Sequence, residues 1–255
     1  MSQQFDIVVC VGPRDIGIVT SSVSLNKKNI LGYRNLYLVC SDPTMTMEDT
    51  ITIDENIFPF TMKDMENLFG VNPRNGWYLQ QLLKLYSGRV IPGILPHYLV
   101  VDSDTHFLKP TAFFTEEGKQ MLTTGTEFHK PYFSHMNRLH PSLKKTHPLS
   151  GICHHCFFDT ECVSQLFTLV EEHHKNKKAF WETFLQVIDK GGYLGSGASE
   201  YEIYFTYMYI YHRDKICIRQ LRWENARQLD VHKDCDFVSV HWHLRPKIAT
   251  PKYPV

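Results

Sequence analysis

Leu95-Pro-His-Tyr-Leu-Val-Val-Asp-Ser-Asp-Thr-His-Phe-Leu108 is the stretch on which the fold turns. Its apolar run, residues 98–101, sits between breakers and reads as a strand buried on both faces. The run stops at Asp102-Ser103-Asp104, two carboxylates at i and i+2 with no basic residue between them, before Phe107 and Leu108 resume. Burying an unpaired carboxylate is costly, and two are worse. A hard cation bridged to phosphate removes the problem, because it neutralises both anionic partners. In open α/β sheets, ligands sit at the carboxyl ends of strands. Asp102 and Asp104 are therefore expected to hold a divalent metal that grips a diphosphate, with Ser103 beside it. The plainer reading is a solvated Asp–Ser turn, which is common after strands.

The chain before this stretch supplies the rest of a sheet. Residues 5–11 read as a first strand, 14–26 as a helix carrying Ile16, Val19 and Val23, 35–40 as a second strand and 50–53 as a short third. That order implies an α/β fold with a mostly parallel central sheet flanked by helices, Rossmann-like in its N-terminal half. Asp15 and Asp42 then fall near strand ends, where a base or ribose can be held; for Asp15 a turn or cap role is favoured. Residues 77–86 read as a helix with Trp77, Gln81 and Lys84 on one face. That face either points amide and ammonium groups at an anionic ligand or is ordinary amphipathic surface.

Composition narrows the function classes. Hydrophobic residues make up 43% and charged residues 21%, ordinary for a globular enzyme. Lysine plus arginine equals aspartate plus glutamate, 27 against 27, so no broad field draws nucleic acid. With 16 Phe, 13 Tyr, 4 Trp and 14 His, the chain has the side chains for a cleft that stacks flat rings, though many fill the core. Seven scattered cysteines do not read as a disulfide framework, and Cys10 and Cys40 are expected in the core. The polar opening residues lack a signal h-region and no run approaches a membrane span, so a soluble, cytoplasmic protein is expected. G-x-G-x-x-G, Walker A, H-E-x-x-H and G-x-S-x-G patterns are absent.

In the second half, residues 110–121 are expected to be helix or loop and 123–148 a long surface excursion of the kind that frames sites. Cys153-His154-His155-Cys156 has the C-x₂-C spacing of zinc sites, but a second ligand pair is missing unless His173-His174 serves. The other readings place His154 and His155 in an acceptor or sugar pocket with Asp159, or leave them uninvolved. Asp159 also suits the cap of a helix over 160–173. Another helix over 179–189 stops at Gly191-Gly192. Ser199 and Glu202 have capping-box spacing. Glu200, in the same first turn, has no such duty and is the candidate base for deprotonating an acceptor hydroxyl. Residues 215–219 read as a strand, and so do 236–244, whose polar face carries Ser239, His241 and His243. A late histidine can complete a metal shell with the two aspartates; Mn²⁺ accepts nitrogen with oxygen, whereas Mg²⁺ prefers oxygen alone.

Taken in order, residues 77–84, 99–105, 154–159, 199–204 and 241–243 resemble small GT-A-type glycosyltransferases with a D-x-D motif, of a branch found in bacterial polysaccharide loci and large DNA viruses. The resemblance implies a single GT-A-like domain over residues 1–245, with a nucleotide-binding half (1–108), an acceptor-binding half (109–245) and a tail (246–255). It implies a nucleotide-sugar donor, usually a UDP-sugar, and a glycan or other hydroxyl acceptor. It implies Mn²⁺, with Mg²⁺ as the alternative, held by Asp104 and a C-terminal histidine, His243 with His241 as rival. Asp102 would touch ribose, or metal through water, and Asp42 the base. Inversion is the preferred outcome because Glu200 is available as base, although a histidine ligand is familiar from retaining enzymes. Two rival readings use the same residues: a metal-dependent phosphohydrolase of nucleotide sugars, and a noncatalytic glycan-binding module.

Overall fold

The computed structural model describes residues 3–227, 229 and 234–241. A five-stranded sheet runs in the order β3 (Ile51–Asp54), β2 (Tyr33–Cys40), β1 (Phe5–Val11), β4 (His97–Val101), β7 (His155–Asp159). The first four strands are parallel and β7 is antiparallel to β4. Every residue of β1 is buried, as is Tyr98 through Val101 of β4, which is what an apolar run covered on both faces demands. Cys10 and Cys40 are core residues, as expected.

β1 also buries a charge. Asp6 is fully inaccessible, and its carboxylate receives Arg34 Nε (3.1 Å) and Nη2 (2.6 Å), Asn35 N–H (3.0 Å) and Leu95 N–H (2.7 Å). These donors come from β2 and from the approach to β4, so the carboxylate pins three neighbouring strands together at one end.

Helices α1 (Ile16–Asn29), α2 (Met62–Phe69) and α3 (Asn75–Val90) connect the parallel strands. Helix α1 does something its apolar positions do not announce. Ser22, Asn26 and Asn29, spaced i, i+4 and i+7, are buried and act as a hydrogen-bonding edge. Ser22 Oγ donates to the Ser103 carbonyl (2.6 Å), Asn26 Nδ2 to the Thr105 carbonyl (2.9 Å) and Asn29 Nδ2 to the Phe107 carbonyl (2.7 Å), while Asn26 Oδ1 accepts the Phe107 N–H (2.9 Å). One face of α1 thus grips the chain from Ser103 through β5 (Thr105–Phe107).

β5 lies in a second, three-stranded sheet: antiparallel to β10 (Phe237–Ser239), which is parallel to β9 (Trp223–Asn225). A pair of parallel strands, β6 (Gln120–Thr123) and β8 (Ile216–Arg219), completes the β-structure. The remaining helices are α4 (Lys130–Leu139), α5 (Thr160–His174), α6 (Phe180–Gln186) and α7 (Glu200–Tyr211).

Three expectations need correction. Residues 123–148 are not structureless: they contain α4, whose buried Tyr132, His135, Met136 and Leu139 have helical spacing. His135 disguised the period; it is buried with its Nε2 hydrogen-bonded to the Phe184 carbonyl at 2.9 Å. Of the two readings of residues 110–121, the loop holds, and it ends in β6. Glu202 does not close a capping box. Ser199 caps α7 by accepting the Glu202 N–H, but the Glu202 carboxylate accepts the Gly151 N–H (2.7 Å) and pairs with Lys145 (2.9 Å). The last strand is shorter than expected, since β10 ends at Ser239 and residues 240 and 241 are not strand; residues 242–255, the tail 246–255 among them, lie outside the described residues.

Candidate active site

The acidic turn follows β4 directly, at the carboxyl edge of the parallel strands, where β1 and β2 also end. Asp102 is its hub. Its Oδ1 accepts Lys84 Nζ (2.6 Å) and the Tyr201 hydroxyl (2.7 Å), and its Oδ2 lies 3.3 Å from His154 Nδ1. Lys84 Nζ also reaches Glu200 Oε1 at 2.7 Å and sits 4.5 Å from the centroid of the Tyr201 ring. Glu200 in turn begins α7, and its N–H donates to Gln81 Oε1 at 3.2 Å. Helix α3, the acidic turn and the first turn of α7 are therefore joined through one buried ammonium and two carboxylates.

Electrostatics follow from that placement. Burial opposes ionisation of Asp102, but Lys84 and His154 outweigh it and hold the carboxyl well below its ordinary range. Burial likewise opposes the Lys84 charge, and Asp102 with Glu200 outweighs it, leaving the ammonium more strongly protonated than a free lysine. Glu200 goes the other way: burial raises its pKa, Lys84 pulls it back, Asp102 raises it again, and the net direction is up. For His154 burial lowers the pKa, but the bond to Asp102 raises it further than that.

His154 has φ of 64°, a left-handed backbone uncommon outside glycine and asparagine. Its carbonyl accepts the Asp102 N–H at 2.9 Å while its ring meets Asp102, so the strained residue is held to the turn at two points. The ring also packs edge-on to Trp223 (5.2 Å between centroids) and near His241 (5.8 Å).

Asp104 occupies the other side of the turn. Its Oδ1 accepts the Ser239 hydroxyl (3.1 Å) and its carbonyl accepts the Val240 N–H (2.9 Å). The residues after β10 thus cross the turn at Asp104, and His241 arrives with them. Ser103 is buried behind, with its carbonyl on Ser22.

Of the expected site residues, the structure brings together Gln81, Lys84, Asp102, Ser103, Asp104, His154, Glu200 and, through His154, His241. It places the others apart. In the β4–β7 register His155 faces Val101 and Asp159 faces His97, so Asp159 lies at the far end of the strand. There it pairs with His97 (3.2 Å) and caps α5 by accepting the Cys162 N–H. His155 is buried against Phe107, Phe113 and Phe237, bonded to Thr123 Oγ1 (2.9 Å) and the Cys153 carbonyl (3.1 Å). Burial pushes its pKa down to about 3. Asp42 sits exposed beyond β2, where its Oδ1 accepts the Thr44 N–H (3.0 Å) and hydroxyl (2.6 Å). Trp77 lies between the Arg74 guanidinium (4.4 Å from the ring centroid) and Tyr132, stacked at 6.3 Å. His243 lies outside the described residues. Tyr201, Ser239 and the α1 asparagines were not anticipated.

Among the described residues, no three His, Cys, Asp or Glu side chains form a ready metal shell. The donor chemistry fits a hard cation at Asp104 better than at Asp102. Asp102 is already neutralised by an ammonium, whereas Asp104 is a carboxylate with an imidazole-bearing segment crossing beside it.

Fold and site define a GT-A-like α/β protein built around an acidic turn. The chain belongs to a family of unknown function, DUF6492, whose model matches residues 37–243. Among solved structures it is similar to mouse xyloside xylosyltransferase 1 in its apo form, at 11% sequence identity and a TM-score of 0.51, over 95% of this chain and 99% of that one. At that identity the likeness is one of fold. No curated protein sequence matches the chain.

Proposed function

We propose that the protein is a metal-dependent glycosyltransferase that moves a sugar from a nucleotide sugar, a UDP-sugar in the first instance, to a hydroxyl of a glycan or other acceptor. The observation that carries this reading is the Asp102–Ser103–Asp104 turn at the carboxyl edge of the parallel strands, with Lys84 bound to its first carboxylate and bridging it to Glu200. A similar solved structure that bears the name of a xylosyltransferase supports it.

In this reading Asp104, with His243 or His241, holds Mn²⁺ or Mg²⁺ against the donor diphosphate. When bound, the cation stabilises negative charge on the leaving nucleotide. Ser103 and Lys84 border the diphosphate, and Asp42 contacts the base. Asp102 keeps Lys84 and the turn in register. Glu200 takes the proton of the acceptor hydroxyl in a direct, inverting displacement; its raised pKa brings it closer to the strength of a useful base. No described helix is long and apolar enough to cross a membrane, and a cytoplasmic setting belongs to the same proposal.

The test is a thermal-shift screen of nucleotides and nucleotide sugars, each with and without Mn²⁺. A transferase should be stabilised by one nucleoside diphosphate and its sugars, and more strongly with metal. Stabilisation by metal alone with steady release of sugar phosphate would favour the phosphohydrolase. Indifference to every nucleotide, with binding of free glycans, would favour the noncatalytic module.

A further inference from the structure

Three side chains, Arg74 at the N-cap of α3 and Tyr78 and Gln81 within it, hold the segment that leads into α7, rung by rung. Arg74 Nη2 donates to Ser196 Oγ, the Tyr78 hydroxyl accepts the Gly197 N–H (3.0 Å), and Gln81 Oε1 accepts the Glu200 N–H. Two donors on this same face are left over. Arg74 Nε and Gln81 Nε2 are buried and have no hydrogen-bond partner among the described residues, although Gln81 is only 1% exposed. A buried N–H without an acceptor costs about 1–3 kcal/mol, so a native protein that keeps two on one face has a reason for them.

The segment above them is rich in glycine: Lys190-Gly-Gly-Tyr-Leu-Gly-Ser-Gly-Ala198. Gly191, Gly192 and Gly195 have no left-handed φ, and a Cβ on Gly191 or Gly192 would meet only ordinary contacts. Nothing in this conformation requires glycine at those two positions, which is expected of a segment that also uses another conformation. Tyr193 anchors its middle by stacking on Phe69 and Tyr78. The following tip is free of the core: Leu194 is 70% exposed. Ser196 is held by Arg74, by Tyr132 and by a hydrogen bond between its carbonyl and His129 Nε2 (2.8 Å).

We infer that the α3 face from Arg74 to Gln81, roofed by residues 194–197, is the subsite for a polyhydroxylated acceptor, whose oxygens take the Arg74 Nε and Gln81 Nε2 hydrogens when the Ser196 roof lifts. This rests on the transferase reading and assigns Gln81 to the acceptor rather than to the nucleotide. The free groups are donors, so the ligand must supply acceptors. Glu127, Glu200 and the Arg74 cation all act electrostatically on Tyr132, beside Trp77, so this wall carries both signs of charge and suits a neutral sugar. Aromatic rings with a few placed donors are the lining that sugar hydroxyls and C–H faces need. Glu200, at the end of the same ladder, then stands next to the hydroxyl to be deprotonated.

The test uses Arg74→Lys, which keeps the charge but removes Nε, and Gln81→Met, which keeps the length but removes the amide. Transfer is measured to methyl glycosides of glucose, galactose and xylose, and donor binding by UDP titration with Mn²⁺. The acceptor KM should rise about fivefold or more in each variant while UDP affinity stays at the wild-type value. An unchanged acceptor KM, or an equal loss of UDP affinity, overturns the assignment. Hydrogen exchange of the Gly197 amide in the wild-type chain, with the same glycosides and no donor, gives an activity-free readout. Sugar-dependent exchange supports the subsite even if no nucleotide binds, an outcome that would sink only the transferase reading. Exchange that ignores all three glycosides overturns the subsite itself.

Discussion

Lys84 Nζ stands 2.6 Å from Asp102 Oδ1 and fixes the acidic turn to the middle of α3. The same ammonium holds Glu200 at 2.7 Å, so one buried cation balances two carboxylates. Lys84→Met should therefore be costly, by roughly 3–5 kcal/mol, because it leaves both acids without their partner. Urea unfolding of the variant checks this. Adding Glu200→Gln should recover part of the loss, and a loss below about 1 kcal/mol would mean that water reaches the pair freely.

The proposed function assigns Asp104 to the metal. Asp104→Asn should abolish the Mn²⁺-dependent part of UDP binding while shifting the melting temperature little. Titration of UDP with and without metal measures the difference, and undiminished metal dependence would remove Asp104 from the shell.

Glu200→Gln keeps an oxygen for Lys84 but cannot accept a proton from the acceptor. Donor affinity should be largely spared and transfer lowered about 100-fold or more. Transfer at the wild-type rate would exclude Glu200 as the base.

Asn26 serves β5 as a neighbouring strand would. Asn26→Ala leaves the Thr105 carbonyl and the Phe107 N–H buried without partners, at a cost of about 2–4 kcal/mol for the two. Because the same strand carries the acidic turn, UDP affinity should fall as well. Denaturant unfolding and UDP titration on one preparation separate the two effects.

His135 and His155 are buried, and burial holds their pKa values down to about 4 and about 3. The unfolded chain, with histidines near pH 6.5, binds protons that the folded chain refuses. Folding stability should thus be complete above about pH 6.5 and fall on acidification towards those folded values, by about 1.4 kcal/mol per pH unit for each group. Unfolding free energies at about pH 7, 6 and 5 test the slope, and His155→Gln should remove its share of it.

The parallel sheet could be read from the chain because its strands are apolar runs between breakers, and periodicity reports burial on both faces directly. The acidic turn was legible for the same reason: two carboxylates stand out against an apolar strand. Glu200 was found by its lack of a local duty, and Lys84 by the helix face it shares with Trp77 and Gln81. What stayed hidden was polar burial. Ser22, Asn26 and Asn29 look like solvent-facing helix positions, His135 broke the pattern of α4, and Tyr201 reads as one more aromatic in an aromatic helix. In each case the partner lies in a distant segment, and spacing along the chain carries no information about it. The pairing of His154 with Asp159 failed because the length of β7 lies between them, which leaves His154 at the acidic turn and carries Asp159 to the His97 end of β4.

Ser239 reaches Asp104 across 135 residues of sequence, and β10 closes the small sheet against β5. During synthesis the acidic turn therefore emerges long before the strand that finishes it. A nascent chain can assemble α1, the parallel strands and α3 around Asp102, yet lacks the hydroxyl and the crossing segment at Asp104. Competence for ligand would be acquired as one of the last events of maturation, and chains cut short before residue 237 would be folded in the main but idle.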